Sequence, residues 1–190
     1  MAVYESTQTV NQSLELYFVK ENLGKDGGLN EAWGRIKIWK FYIPIPNTNA
    51  RKKALVFHDI HHIVTGYDGD WRGEVSIAAW EIASGCDKYW VAWYLNLGGM
   101  GVGLFIYPQL VFKAFIRGKR TGNLYHHTIP QEQAVNMQVG ELQKKLKLDL
   151  DFHHRATMGE ILSFLSWSVI AIVVTLAPLL FLLIILKWLF

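Results

Sequence analysis

The sequence predicts a mainly α protein: a helical domain over residues 1–155 and a transmembrane helix within 156–190. Three observations carry that expectation. Half of the 190 residues are apolar (51%) and 14% are aromatic, so a disordered or collagen-like chain is excluded. Only 18% are charged, against about 25% in soluble domains, so part of the surface is expected to face something other than water. The third is a run from Ile161 to Leu186 without one charged residue, followed by Lys187 alone before the end. At ~1.5 Å per residue that run covers roughly 39 Å of helix, more than the ~30 Å hydrocarbon core of a bilayer. Tilt or a bend at Pro178 would absorb the surplus, and the run reads as a C-terminal membrane anchor.

Along the chain, Ser13–Asn22 reads as a short amphipathic helix, and Ile36–Ile45 as a strand or extended segment ended by Pro44 and Pro46. Asn47, Thr48 and Asn49 offer N-caps for a helix running to Thr65, with Gly66 as its stop. Asp70 caps the next helix, Trp71–Ala83. Tyr89–Phe112 is a second uncharged stretch, broken by Asn96, Pro108, Gln109 and four glycines. Hydropathy leaves open a span, a lipid-facing surface pair or a core element, with surface or core preferred; the glycines read as a bend or close-packing site. Pro130 opens a polar helix to about Leu148.

Net charge is only +3, which argues against nucleic acid as a partner. Residues 113–155 hold eight Lys or Arg against four Asp or Glu, placing the domain on the cytoplasmic membrane face by the positive-inside rule. Arg117, Lys119 and Arg120 are candidates for anionic head groups, or a solvated face. The first eleven residues have neither the basic start and apolar run of a signal peptide nor a transit-peptide arginine, so the chain is expected to begin in the compartment of its synthesis. With one cysteine, Cys86, a metal site would have to use His, Asp and Glu.

Such a set is present. His58 and His62 are four apart and project from one helix face, with Asp59 adjacent. The turn Gly66–Asp70 is short enough to fold the next helix back, bringing Glu74 opposite the histidines. Two imidazoles and two carboxylates suit zinc or a similar divalent ion with an open position. His61 points ~100° away from His62 and stays outside the ligand set. Asp70 is a cap or a residue supporting the ligands, Glu81 a holder of a ligand histidine or ordinary surface charge, and Tyr125 a pocket or loop residue. His126-His127 and His153-His154 are adjacent pairs, which diverge on a helix and cannot easily supply two ligands each.

His58-Asp59-x-x-His62, eleven residues, then Glu74 resembles the zinc signature of the family of the fourth numbered coenzyme Q (ubiquinone) biosynthesis protein. Arg117–Arg120, Leu124-Tyr125 and the helix with Glu132 and Glu141-Leu142 resemble its C-terminal part more loosely, so the likeness covers residues 50–148. It implies an all-α fold, a metal held by His58, Asp59, His62 and Glu74, and a polyprenylated quinone precursor, or another membrane lipid, as ligand. It also implies a role in replacing the ring carboxyl by hydroxyl beside other quinone biosynthesis enzymes. The tail from Ile161 and the later His pairs depart from the family pattern.

Three rival readings compete with this one. A lipid-presenting scaffold with a structural metal fits the lack of a separate nucleophile, base or redox site. A His-Asp-doublet phosphohydrolase would need a histidine upstream of His58, which is the first in the chain. A di-iron membrane hydroxylase would need more than one histidine box.

Overall fold

The computed structural model describes residues 4–38, 41–126, 129–149 and 155–189. His127, His153 and His154 lie outside the described residues. The fold is mainly α, with one two-stranded antiparallel sheet among the described residues.

Helix α1, Val10–Lys20, starts three residues earlier than the sequence suggests. Thr9 and Gln12 form a reciprocal capping box there, satisfying two otherwise orphaned N–H groups. The expected single extended segment is a hairpin, β1 (Trp33–Ile38) against β2 (Phe41–Pro46), with Trp33 opposite Pro46 and Ile38 opposite Phe41. Helix α2, Asn49–Thr65, runs between the expected signals: Thr48 accepts the Arg51 N–H, and Gly66, in the left-handed region at φ 71°, closes the last turn.

Helix α3, Trp71–Ser84, is the centre of the core. Val75, Ile77, Ala79 and Trp80 are fully buried, because the helix is covered on several sides. Helices α4 (Trp90–Ile106) and α5 (Pro108–Arg120) flank it. The second apolar stretch is therefore two helices broken at Pro108. Three of the four α4 glycines are close-packing points within a continuous helix, Gly98 alone facing open space: a Cβ at Gly103 would lie 2.7 Å from Val75 Cβ, and one at Gly99 would lie 3.0 Å from Ala78. Asn96 is buried in the same face.

The polar helix expected from Pro130 to Leu148 is two pieces, α6 (Gln131–Asn136) and α7 (Val139–Lys145). The N-terminal segment interrupts it: the Val10 N–H bonds to the Met137 carbonyl at 2.9 Å, and the Val139 N–H to the Gln8 carbonyl at 2.9 Å. Two short helices result because those backbone groups are claimed by a neighbour.

Helix α8, Met158–Leu189, contains the one helix among the described residues long and apolar enough to cross a membrane, Met158–Pro178. Its first half is docked on the domain. Arg120 grips Glu160 bidentately, at 2.6 and 2.8 Å. Phe164 meets Phe112 and Phe115 edge-on, and Trp167 stacks on Trp93 with centroids 5.1 Å apart. A Cβ at Gly101 would lie 2.6 Å from the Ala171 carbonyl, so α4 and α8 touch backbone to backbone through small residues. Two of the basic residues expected at lipid head groups are thus engaged internally. Arg120 holds α8, and Arg117 donates to the Thr65 carbonyl at 2.8 Å and lies over the Tyr67 ring.

Candidate metal centre

His58, His62 and Glu74 each offer a ligand atom, and those atoms lie within 4.8 Å of one another. The two histidines share a face because α2 is an uninterrupted helix. Glu74 reaches them because α3 begins abruptly: Asp70 accepts the Gly73 N–H at 2.8 Å. Gly73 itself permits contact with the Asp68 backbone, whose carbonyl carbon would be 2.6 Å from any Cβ there. Asp70 is therefore a helix cap, and it supports the site only by fixing where α3 starts.

The hydrogen bonds account for one proton on each ring. His62 Nδ1 faces the Tyr67 carbonyl at 2.9 Å, a pure acceptor, so Nδ1 carries the proton and Nε2 a lone pair. His58 Nδ1 donates to Glu81 Oε1 at 3.0 Å, which likewise turns its Nε2 into the site. The two Nε2 atoms are 3.2 Å apart. Glu74 carboxylate oxygens lie 3.8 Å from His58 Nε2 and 3.6 Å from His62 Nε2. Ligands ~2.0–2.1 Å from a tetrahedral zinc are separated by about 3.3 Å, so this spacing fits an N, N, O ligand set. Two inward lone pairs at such a distance repel unless a proton or a cation lies between them. The Glu74 side chain is 45% exposed, which leaves one side of the site open for a further ligand.

Glu81 is the hub behind the candidate ligands. It is fully buried, and its Oε1 accepts from His58 and, at 2.7 Å, from His61 Nδ1. Its Oε2 accepts from the Tyr125 hydroxyl at 3.0 Å and from the Asn96 amide. Burial alone would raise its pKa, but the two imidazoles overcome that and hold the carboxyl well below the usual range. His61 accepts the Leu124 N–H at Nε2 and donates at Nδ1; burial holds it neutral, with its pKa below the ordinary value. Burial likewise lowers His62. For His58 burial acts the same way, yet Glu81 and Glu74 outweigh it and raise the pKa.

Of the residues expected from the sequence, His58, His62 and Glu74 come together, and Glu81 holds the candidate ligand His58. Asp59 does not join the cluster. One residue on from His58, it points around the helix, is buried, and lies toward Gly27; burial raises its carboxyl to about 7. Tyr125 is buried, with its hydroxyl donating to Glu81. His126, exposed, donates to the Ser84 carbonyl. Three contributors were missed. His61 shares Glu81 with His58, Tyr17 stacks on the His62 ring with centroids 5.2 Å apart, and Asn96 reaches Glu81 from α4. Only Asn96 left a signal, as the one asparagine in an uncharged stretch.

No family model, no curated protein and no solved structure matches the chain. The likeness to the coenzyme Q family rests on the motif residues.

Proposed function

We propose that this is a membrane-associated metal protein of coenzyme Q-type quinone biosynthesis. It binds a polyprenylated ring precursor and supports replacement of the ring carboxyl by hydroxyl. The observation that carries the reading is the pair of inward-facing Nε2 atoms 3.2 Å apart beside Glu74, set in a domain fastened to an apolar helix. The domain lies on the cytoplasmic face, which the Lys/Arg excess of residues 113–155 favours.

His58, His62 and Glu74 would hold a divalent ion, and zinc suits two imidazoles and a carboxylate. Bound there, such an ion would act as a Lewis acid toward an oxygen of the ring substituents. Glu81 keeps the His58 proton on Nδ1, the Tyr67 carbonyl does the same for His62, and the Tyr17 ring shields one face of His62. Zinc undergoes no redox change, so the oxidising equivalents come from a separate component, such as dioxygen or a neighbouring biosynthetic enzyme.

A structural metal in a lipid-presenting scaffold is the second reading. The observation favouring it is that the ligands staple α2 to α3, with Glu81 tying in α4 and the 124–126 turn. Metal analysis and lipid mass spectrometry on detergent-purified protein test the proposal. About one zinc per chain and a prenylated ring compound are expected, with zinc lost in Glu74→Ala. Wild-type zinc content in that variant would remove Glu74 from the ligands. Loss of product in cells carrying a folded His58→Ala separates enzyme from scaffold.

A further inference from the structure

The domain has two ends, and they differ chemically. Along α8, Trp167 meets Trp93 and the stretch from Ala171 to Thr175 meets Gly101, so α8 runs in the same direction as α4. It leaves the domain at the end where α4 turns into α5. That end carries Phe105 and Ile106, 65% and 52% exposed, and a shallow apolar hollow lined by Pro108, Gln109, Phe112 and Lys113. The first turn of α3 is at the same end: the Arg72 guanidinium sits 5.5 Å from the Tyr107 ring centroid, and Val75 packs on Gly103. Glu74, the open side of the metal site, belongs to that turn.

Residues 176–189 continue α8 past that end, and the docked half, within the span-length stretch Met158–Pro178, still exposes Leu162, Leu165, Val169 and Val173 on its outer face. Interfacial apolar surfaces sink roughly 5–10 Å into a bilayer, deep enough to take in the exposed Phe105 and Ile106 beside that helix. At the far end of α5 Arg120 is engaged by Glu160 and Lys119 is exposed, so that end is polar where the α4–α5 turn is apolar.

We infer that the α4–α5 turn is immersed in the lipid interface, so that the metal site opens onto the leaflet and receives an amphiphile whose polar head reaches the cation while its chain stays among lipids. The inference deepens the proposed function and rests on its reading of the ligand as a membrane lipid. Its test needs no quinone precursor, so the two can fail separately.

The full chain, with buried Cys86 retained, is labelled with an environment-sensitive fluorophore at Phe105→Cys, Arg72→Cys or Lys119→Cys. Each protein is reconstituted into phosphatidylcholine–phosphatidylglycerol vesicles containing a lipid with a nitroxide on its acyl chain. Labels at 105 and 72 are expected to be quenched roughly threefold more strongly than the label at 119, at the far end of α5. Equal quenching at all three positions, or stronger quenching at 119, overturns the inference. Strong quenching at 105 with none at 72 also overturns it, because the site would then open to water.

Discussion

Glu81→Gln isolates what the buried carboxylate does for the metal. Four donors converge on Glu81: the Nδ1–H groups of His58 and His61, the Tyr125 hydroxyl and the Asn96 amide. A glutamine keeps the shape, and its single carbonyl can still accept from both imidazoles. Its NH2 then faces Asn96 and Tyr125, which can answer by flipping the amide and rotating the hydroxyl to accept. Folding should therefore survive, with charge-assisted bonds exchanged for neutral ones at about 1 kcal/mol each. The larger effect falls on the cation. Without the carboxylate His58 is a weaker base at Nε2, and loss of such a partner typically weakens metal binding 10–100-fold, or about 1.4–2.7 kcal/mol. Competition between the protein and a chromophoric zinc chelator, at fixed pH in detergent, measures the ratio directly. A folded Glu81→Gln protein whose zinc affinity stays within about threefold of wild type would show that Glu81 merely fills the core, and the reasoning would fail.

Asp59→Asn should leave zinc affinity within roughly threefold, since Asp59 stands outside the ligand cluster; a loss as complete as that of His58→Ala would reinstate four protein ligands. Chelation should lower the melting temperature by roughly 5–10 °C when zinc was present at ~100 times its dissociation constant, as differential scanning fluorimetry can read. Gly101→Val should prise α8 from α4 at about 1–3 kcal/mol, seen as faster proteolysis near residues 155–160. The pH dependence follows from His61, whose folded pKa lies below its ordinary 6.5. Below that value the unfolded chain takes up a proton that the folded chain does not, so stability falls with acid. Comparing chelated wild type with His61→Gln between about pH 7 and 5.5, the variant should show the shallower fall in melting temperature; equal slopes would place the acid sensitivity elsewhere.

The parts that one sequence could settle are those governed by neighbours along the chain. Thr48, Gly66 and Asp70 set the ends of α2 and α3 through local hydrogen bonds and one positive φ, so those helices fall within a residue or two of expectation. The uncharged run from Ile161 and the four-residue spacing of His58 and His62 are equally local. The division of the 130–148 helix was not legible, because the bonds that interrupt it come from Gln8 and Val10. Tertiary contact also decided which acid joins the histidines. Asp59 is nearer in sequence, but helix geometry turns it aside, whereas Glu74 arrives from the next helix because Gly73 lets α3 start hard against the Asp68 backbone. The Glu81 hub depends on four elements meeting at a single buried carboxylate. Pattern along the chain can nominate such a residue, but only packing across it supplies the donors that keep the charge in place.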